Sequence, residues 1–185
     1  MRIHWGLTMV AALAVAALPL HAPAQIESTP VPAPQKPNLS SMAFLVGSWS
    51  CSTKSARRPA AYMTTSTYTM DPSGYWLDET SVTTPNSWIP AKITVNDKYT
   101  YDSDAHRWVD LTYGQGGAYG LAFSSGWNGD KISWHDVSFA PTAEISSQTN
   151  NTITKVSSSK VTFASSFTEA KTGRHVAVTG SCTKQ

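Results

Sequence analysis

Phe44-Leu45-Val46-Gly47-Ser48-Trp49-Ser50-Cys51 sets a glycine, a tryptophan and one of the chain's two cysteines within five residues. With the two-residue period of a strand, Leu45, Gly47, Trp49 and Cys51 share one face, and Phe44, Val46, Ser48 and Ser50 share the other. A bulky indole beside a residue without a side chain predicts a strand entering a crowded barrel end, where another backbone passes close. Trp49 is therefore read as buried scaffold packed near Val178, and Gly47 as the room it needs. The second cysteine, Cys182, lies three residues from the end of the chain. A bond between Cys51 and Cys182 would clip the first strand to the last.

The sequence from residue 43 onward shows no sustained 3.6-residue apolar period. It offers short runs rich in Thr, Val, Tyr, Trp and Phe, separated by Gly, Asp, Asn and Pro. These runs predict strands at 43–54, 61–70, 75–83, 91–101, 107–114, 118–125, 131–138, 150–156, 160–168 and 174–183. Asp71-Pro72-Ser73-Gly74 has the pattern of a type I turn. Asn128-Gly129 reads as a two-residue hairpin loop, and Lys171-Thr172-Gly173 closes the last hairpin. The expectation is an all-β domain: an antiparallel barrel of about 8–10 strands, wound as an up-and-down meander and closed by one disulfide. A sandwich is the alternative.

The opening Phe44-Leu45-x-Gly47-x-Trp49 resembles that of the calycin group, the lipocalins and similar small barrels. It is closest to secreted bacterial lipocalin-like domains that begin Phe-Leu-x-Gly-x-Trp. The segment Gly126-Trp127-Asn128-Gly129-Asp130-Lys131-Ile132 is similar to a hairpin of such domains. The resemblance covers residues 40–185 and implies a barrel with an internal pocket. It implies no particular ligand.

Residues 1–24 read as a secretory signal, with Arg2 at its charged start, an apolar run from Leu7 to Leu20, and Ala22-Pro23-Ala24 as a small-residue cleavage site. That run is shorter than the roughly 20 residues a spanning helix needs, and no other segment is apolar enough to cross a bilayer. Residues 25–38, with four prolines, read as an extended linker, and 39–185 as the barrel. Export to the periplasm or the medium follows, and an exported chain with two cysteines favours a disulfide over free thiols or half a metal site. The bond would enclose about 131 residues, which the chain-entropy model values at roughly 5 kcal/mol at most. The chain has 14 Lys and Arg against 12 Asp and Glu, with no basic run. Nucleic-acid binding, which needs clustered cations, is not expected.

Face assignment decides which residues can carry chemistry. Val176, Val178, Gly180 and Cys182 share one face of the last strand, the cysteine face, read as interior. His175 takes the other face, so the haem-ligating histidine on a late strand of nitrobindin-like barrels has no inward counterpart in it. Trp108 and Asp110 share a face, as do Trp134 and Asp136. Each aspartate is therefore either a polar group in a pocket or a charge on an aromatic-flecked outer face. His135 and Asp136 point opposite ways and cannot act as a pair, and Asp78 and Glu79 diverge likewise. No nucleophile elbow, zinc motif or phosphate loop occurs.

The reading that results is a secreted barrel that binds a small apolar or amphipathic molecule without transforming it and without cofactor or metal. Candidate ligand contacts are Trp108, Leu121, Phe123 and Trp134, taken as bulky interior residues, with Asp110 and Asp136. The alternatives are a carbohydrate- or surface-binding sandwich and, less favoured, a haem-binding or Asp-dependent enzymatic barrel.

Overall fold

Tight turns between strands of similar length leave each strand to pair with its chain neighbours, and in this protein the pairing runs round until it meets itself. The computed structural model describes residues 34–58, 60–139, 145–148 and 151–185. The chain divides into two units, Met1–Pro34 and Gln35–Gln185. The second is the barrel, while the expected leader and the first part of the expected linker lie outside the described residues. A 3₁₀ turn, Ser40–Leu45, leads into β1 (Gly47–Ser55), β2 (Tyr62–Met70), β3 (Leu77–Thr83), β4 (Ile93–Asp102), β5 (Arg107–Gly114) and β6 (Tyr119–Ser124). There follow β7 (Trp127–Asn128), β8 (Lys131–Phe139), β9 (Ile145–Gln148), β10 (Asn151–Ser157), β11 (Lys160–Glu169) and β12 (His175–Lys184).

Ten of these strands form a closed antiparallel ring in meander order, with β7 and β9 as short additions on β8 and β11. The ring closes where β12 pairs with β1 and where β8 pairs with β10. A closed ring has no free edge and one inside, so the sandwich alternative falls. The ten runs expected from the sequence are the ten ring strands.

Turn chemistry sets the corners. Gly74 N–H donates to Asp71 O at 2.8 Å, closing the Asp71–Gly74 turn, and Asp71 Oδ1 accepts from Ser73 N–H. Asn128 pairs with Lys131, so the loop of that hairpin is Gly129-Asp130, one residue later than Asn128-Gly129. Gly129 takes the positive φ of 62° that such a turn requires.

Cys51 and Cys182 stand directly opposite one another on β1 and β12, with Cα atoms 4.0 Å apart, and are bonded. The chain just before β1 departs from the strand expected over 43–54. Residues 40–45 coil into the 3₁₀ turn, which buries Met42 and Leu45 across one end of the barrel. The turn leaves carbonyls with no strand partner, and two side chains satisfy them. Trp49 Nε1 donates to Leu45 O at 2.6 Å, and Lys184 Nζ donates to Phe44 O at 2.9 Å. Trp49 is 1% exposed, but its neighbours across the ladder are Lys184 and Ser66, whereas Val178 faces Ser55 at the other end of β1. The expected packing against Val178 is therefore corrected by the antiparallel register. Gly47 has a φ of 123°, and a Cβ there would meet Lys184 Cε at 3.0 Å, so the lysine, rather than the indole, crowds it.

Two outcomes test this end of the barrel. Reducing Cys51–Cys182 should lower the thermal unfolding midpoint by an amount equivalent to a few kcal/mol, up to about 5; an unchanged midpoint would show that strand pairing alone closes the ring. Trp49→Ala removes a buried indole and its hydrogen bond, a loss of about 3–5 kcal/mol. Chemical denaturation should show it as a shifted midpoint, and wild-type stability would show the indole to be no part of the core.

Candidate functional site

Inside the ring, side chains stack in layers, because inward positions of neighbouring strands stand opposite one another. The floor is apolar: Met42, Leu45, Trp49, Leu77, Trp108, Ile132 and Trp134 are all buried beneath the plugged end. One step along each strand the chemistry changes. The next inward positions after Leu77, Tyr99, Trp108 and Trp134 are Glu79, Asp97, Asp110 and Asp136. Above this layer lies a cavity of about 440 Å³ to which every strand of the ring contributes a wall. It is the barrel lumen.

The acidic layer is only partly satisfied from within. Tyr99 OH donates to Glu79 Oε2 at 2.8 Å and Ser81 Oγ donates to Glu79 Oε1 at 2.6 Å. Ser81 and Ser66 share a further hydrogen bond at 2.7 Å. Thr112 Oγ1 donates to Asp97 Oδ1 at 2.6 Å. Asp110 Oδ1, Asp136 Oδ2, Asn151 Oδ1 and Trp134 Nε1 are buried and have no hydrogen-bond partner, and all four residues line the cavity. Buried polar atoms in folded proteins nearly always have partners, and an unpaired one is costly. Four around one space is an unusual concentration.

Burial and mutual repulsion set the protonation of the layer. Burial, followed by the charge of Glu79, pushes Asp97 up to about 8, against the opposing hydrogen bond from Thr112. Asp110 is raised well above the ordinary carboxylate range by burial first, then by Asp97, Glu79 and Asp136. Asp136 is raised by burial, with His135 pulling the other way. The phenols of Tyr68 and Tyr99 are raised by burial and then by Glu79, so both remain hydrogen-bond donors. Among the described residues that line the cavity there is no Lys, Arg or His to balance the acids.

The residues expected to meet a ligand divide. Asp110, Trp134 and Asp136 line the cavity. Trp108 is buried below it, its ring 5.6 Å from that of Tyr101. Leu121 and Phe123 were expected inside and stand outside. The inward residues of β6 are Gly120, Ala122 and Ser124, with Ala122 opposite Asp110. Phe123 pairs with Val109 and lies under the Arg107 guanidinium, 3.6 Å from its ring centre. On β6 the bulkier side chains face outward, so size misleads there. His175 is exposed, as expected.

Glu79 and Asp97 were not expected in the lumen, and Tyr68 and Tyr99, two of the aromatic residues that could fill a core or line a pocket, were not among the candidate contacts. Alternation could have found the acids, since Glu79 lies two residues from Leu77 and Asp97 lies between Val95 and Tyr99. Gly180 was read only as a member of the cysteine face. A Cβ there would come within 2.2 Å of Phe163 Cζ and 2.7 Å of Ser52 O. The glycine thus lets the Phe163 ring lie flat across β12 as part of the cavity wall.

Among the described residues no group of three His, Cys, Asp or Glu side chains is placed to hold a metal ion, and no helix is long and apolar enough to cross a membrane. No family model matches the chain, and no curated protein matches it. The chain is similar to a solved structure described as EF1p2_mFAP2b bound to DFHBI, at 13% identity, over 78% of this chain and 96% of that one, with a TM-score of 0.39. A likeness that slight carries no argument about function.

The acidic layer makes a signed prediction. A carboxyl whose pKa is higher in the folded than in the unfolded chain stabilises the fold in its neutral form. That contribution is complete below the unfolded value of about 3.9 and is lost as pH rises through about 8 for Asp97. Asp97→Asn keeps an acceptor for Thr112 and removes the titration. Its melting temperature relative to wild type should therefore climb steadily between those two pH values. A difference that stays flat across the range would show Asp97 titrating as an ordinary surface aspartate.

Proposed function

We propose that this protein is an exported, lipocalin-like barrel that binds a small molecule in its lumen. The observation that carries the reading is the cavity itself. A ring of ten strands could fill its interior with side chains, yet here about 440 Å³ is left open above a closed floor. The space suits a compact organic molecule and falls within the usual range of ligand pockets. One part of the wall is apolar, with Val95, Ile153, Val161 and Phe163, and another presents hydrogen-bonding atoms that nothing in the protein engages. An amphipathic ligand matches both. The opening Phe44-Leu45-x-Gly47-x-Trp49 supports the lipocalin-like assignment. The leader-like residues 1–24 and a disulfide that would persist in an oxidising compartment support export to the periplasm or the medium.

The test is direct. An apolar fluorescent probe should bind at one per chain and quench tryptophan emission, since Trp134 lines the cavity and Trp108 and Trp49 lie in its floor. Soluble oligosaccharides should leave that emission unchanged. Native mass spectrometry of protein recovered from its own compartment should show a co-purifying molecule. Saturable sugar binding without probe uptake would move the function to the outer surface.

A further inference from the structure

We propose, building on the ligand-binding reading, that the lumen selects an organic cation: a protonated amine on an apolar or aromatic body, with its ammonium group at Asp110 and Asp136. The argument begins with what is already engaged. Glu79 has both oxygens occupied, by Tyr99 and Ser81. Asp97 holds Thr112. Asp110 and Asp136 each retain a buried oxygen with no partner, and they flank Ala122 on adjacent positions across β5, β6 and β8. Ala122 is small, and it lines the lumen together with the two carboxyls beside it.

The sign of the missing group follows from the surroundings. The groups facing this position are Tyr68 from β2, Glu79 from β3, Asp97 and Tyr99 from β4, Asp110 from β5 and Asp136 from β8. None of them carries positive charge. An anion would find no opposite charge here and would repel any of the acids that ionises, whereas a cation would be held by charge-assisted hydrogen bonds and by aromatic faces. Tyr99 and Trp134, with ring centres 5.6 Å apart, supply those faces next to the acids. An inorganic ion fits poorly. The described acids do not converge as a metal site, and the lumen is far larger than an ion, with apolar wall beyond the acids. An amine with an apolar body uses both parts of the wall.

Protonation then couples to binding. On their own, burial and neighbouring acids hold Asp97, Asp110 and Asp136 toward their neutral forms. An ammonium group arriving among them favours the ionised form, so a carboxyl loses its proton to solvent as the cation enters. Binding near neutral pH should therefore release protons, and affinity should rise with pH until the amine itself loses its charge.

Three probes of one shape separate the possibilities: phenylbutylamine, phenylbutanol and phenylbutyrate, titrated by calorimetry in two buffers of different ionisation heat. The amine should bind at one per chain and roughly tenfold or more tighter than the alcohol, a preference of one decade in Kd. It should show net proton release, and the carboxylate should not bind. Asp110→Asn and Asp136→Asn should each weaken the amine by about the same factor and leave the alcohol unchanged. Equal binding of amine and alcohol, or amine binding without proton release by the wild-type protein, would overturn the cation proposal while leaving the lumen a ligand site. Failure of all three probes, and of the apolar fluorescent probe as well, would overturn both readings. The proton count needs only the wild-type chain, so the proposal stays testable if either variant folds poorly.

Discussion

The pairing of β12 with β1 is the contact on which the rest of this structure depends. It joins the first and last strands of the barrel, and by closing the ring it divides every strand into an inward and an outward set. Cys51 opposite Cys182 fixes the register of that pairing covalently. Because strand side chains alternate, a slip of one residue would turn the whole interior of a strand to solvent. Near the same end, Trp49 and Lys184 hold the 3₁₀ turn through Leu45 and Phe44, so the seam and the plug stabilise each other.

Once the ring is closed, the acidic layer becomes unavoidable. Glu79, Asp97, Asp110 and Asp136 occupy inward positions immediately above an apolar floor, on strands whose register cannot shift. Placing acids there opposes folding unless they are neutral or paired. The protein manages this in two ways. Glu79 is enclosed by a phenol and a serine, and Asp97 is held near neutrality by burial and by its neighbour's charge. Asp110 and Asp136 are left with free buried oxygens. A fold built only for stability gains nothing from that arrangement, since apolar residues of like volume would suit those positions as well or better. The unpaired oxygens are where stability has been given up, and sites of function are where such concessions are expected.

The outer surface of the same strands shows how alternation separates roles residue by residue. Asp78 pairs with Lys98 on the outside at 2.7 Å while Glu79 turns inward. Phe123 covers the outside under Arg107 while Ala122, its neighbour, keeps the lumen open beside Asp110. A larger residue at position 122 would close the gap between Asp110 and Asp136. Small inward side chains on β6 are thus as much a part of the cavity as the charged ones on β5 and β8.

The sequence by itself determined the ten strands, the principal turns, the cysteine pairing and the inward direction of Trp49, Trp108 and Trp134; for Asp110 and Asp136 it fixed only that each shares a face with its tryptophan, and the closed ring turned those faces inward. Each of these follows from local chemistry: a period of two, the conformational needs of Gly and Pro, and the presence of only two thiols. Tertiary structure alone decided the rest. The 3₁₀ turn over residues 40–45 replaced the start of the first strand because a barrel end needs covering, which no local preference records. Leu121 and Phe123 went outside and Ala122 inside because β6 takes its face from its pairing with β5, and bulk carries no weight in that choice. The acidic layer exists only across strands. Glu79, Asp97, Asp110 and Asp136 are separated by up to 57 residues in sequence and come to line one lumen because ring closure turns their strand faces inward, with Glu79 opposite Asp97, Asp110 opposite Tyr99 and Ala122, and Asp136 opposite Ala122.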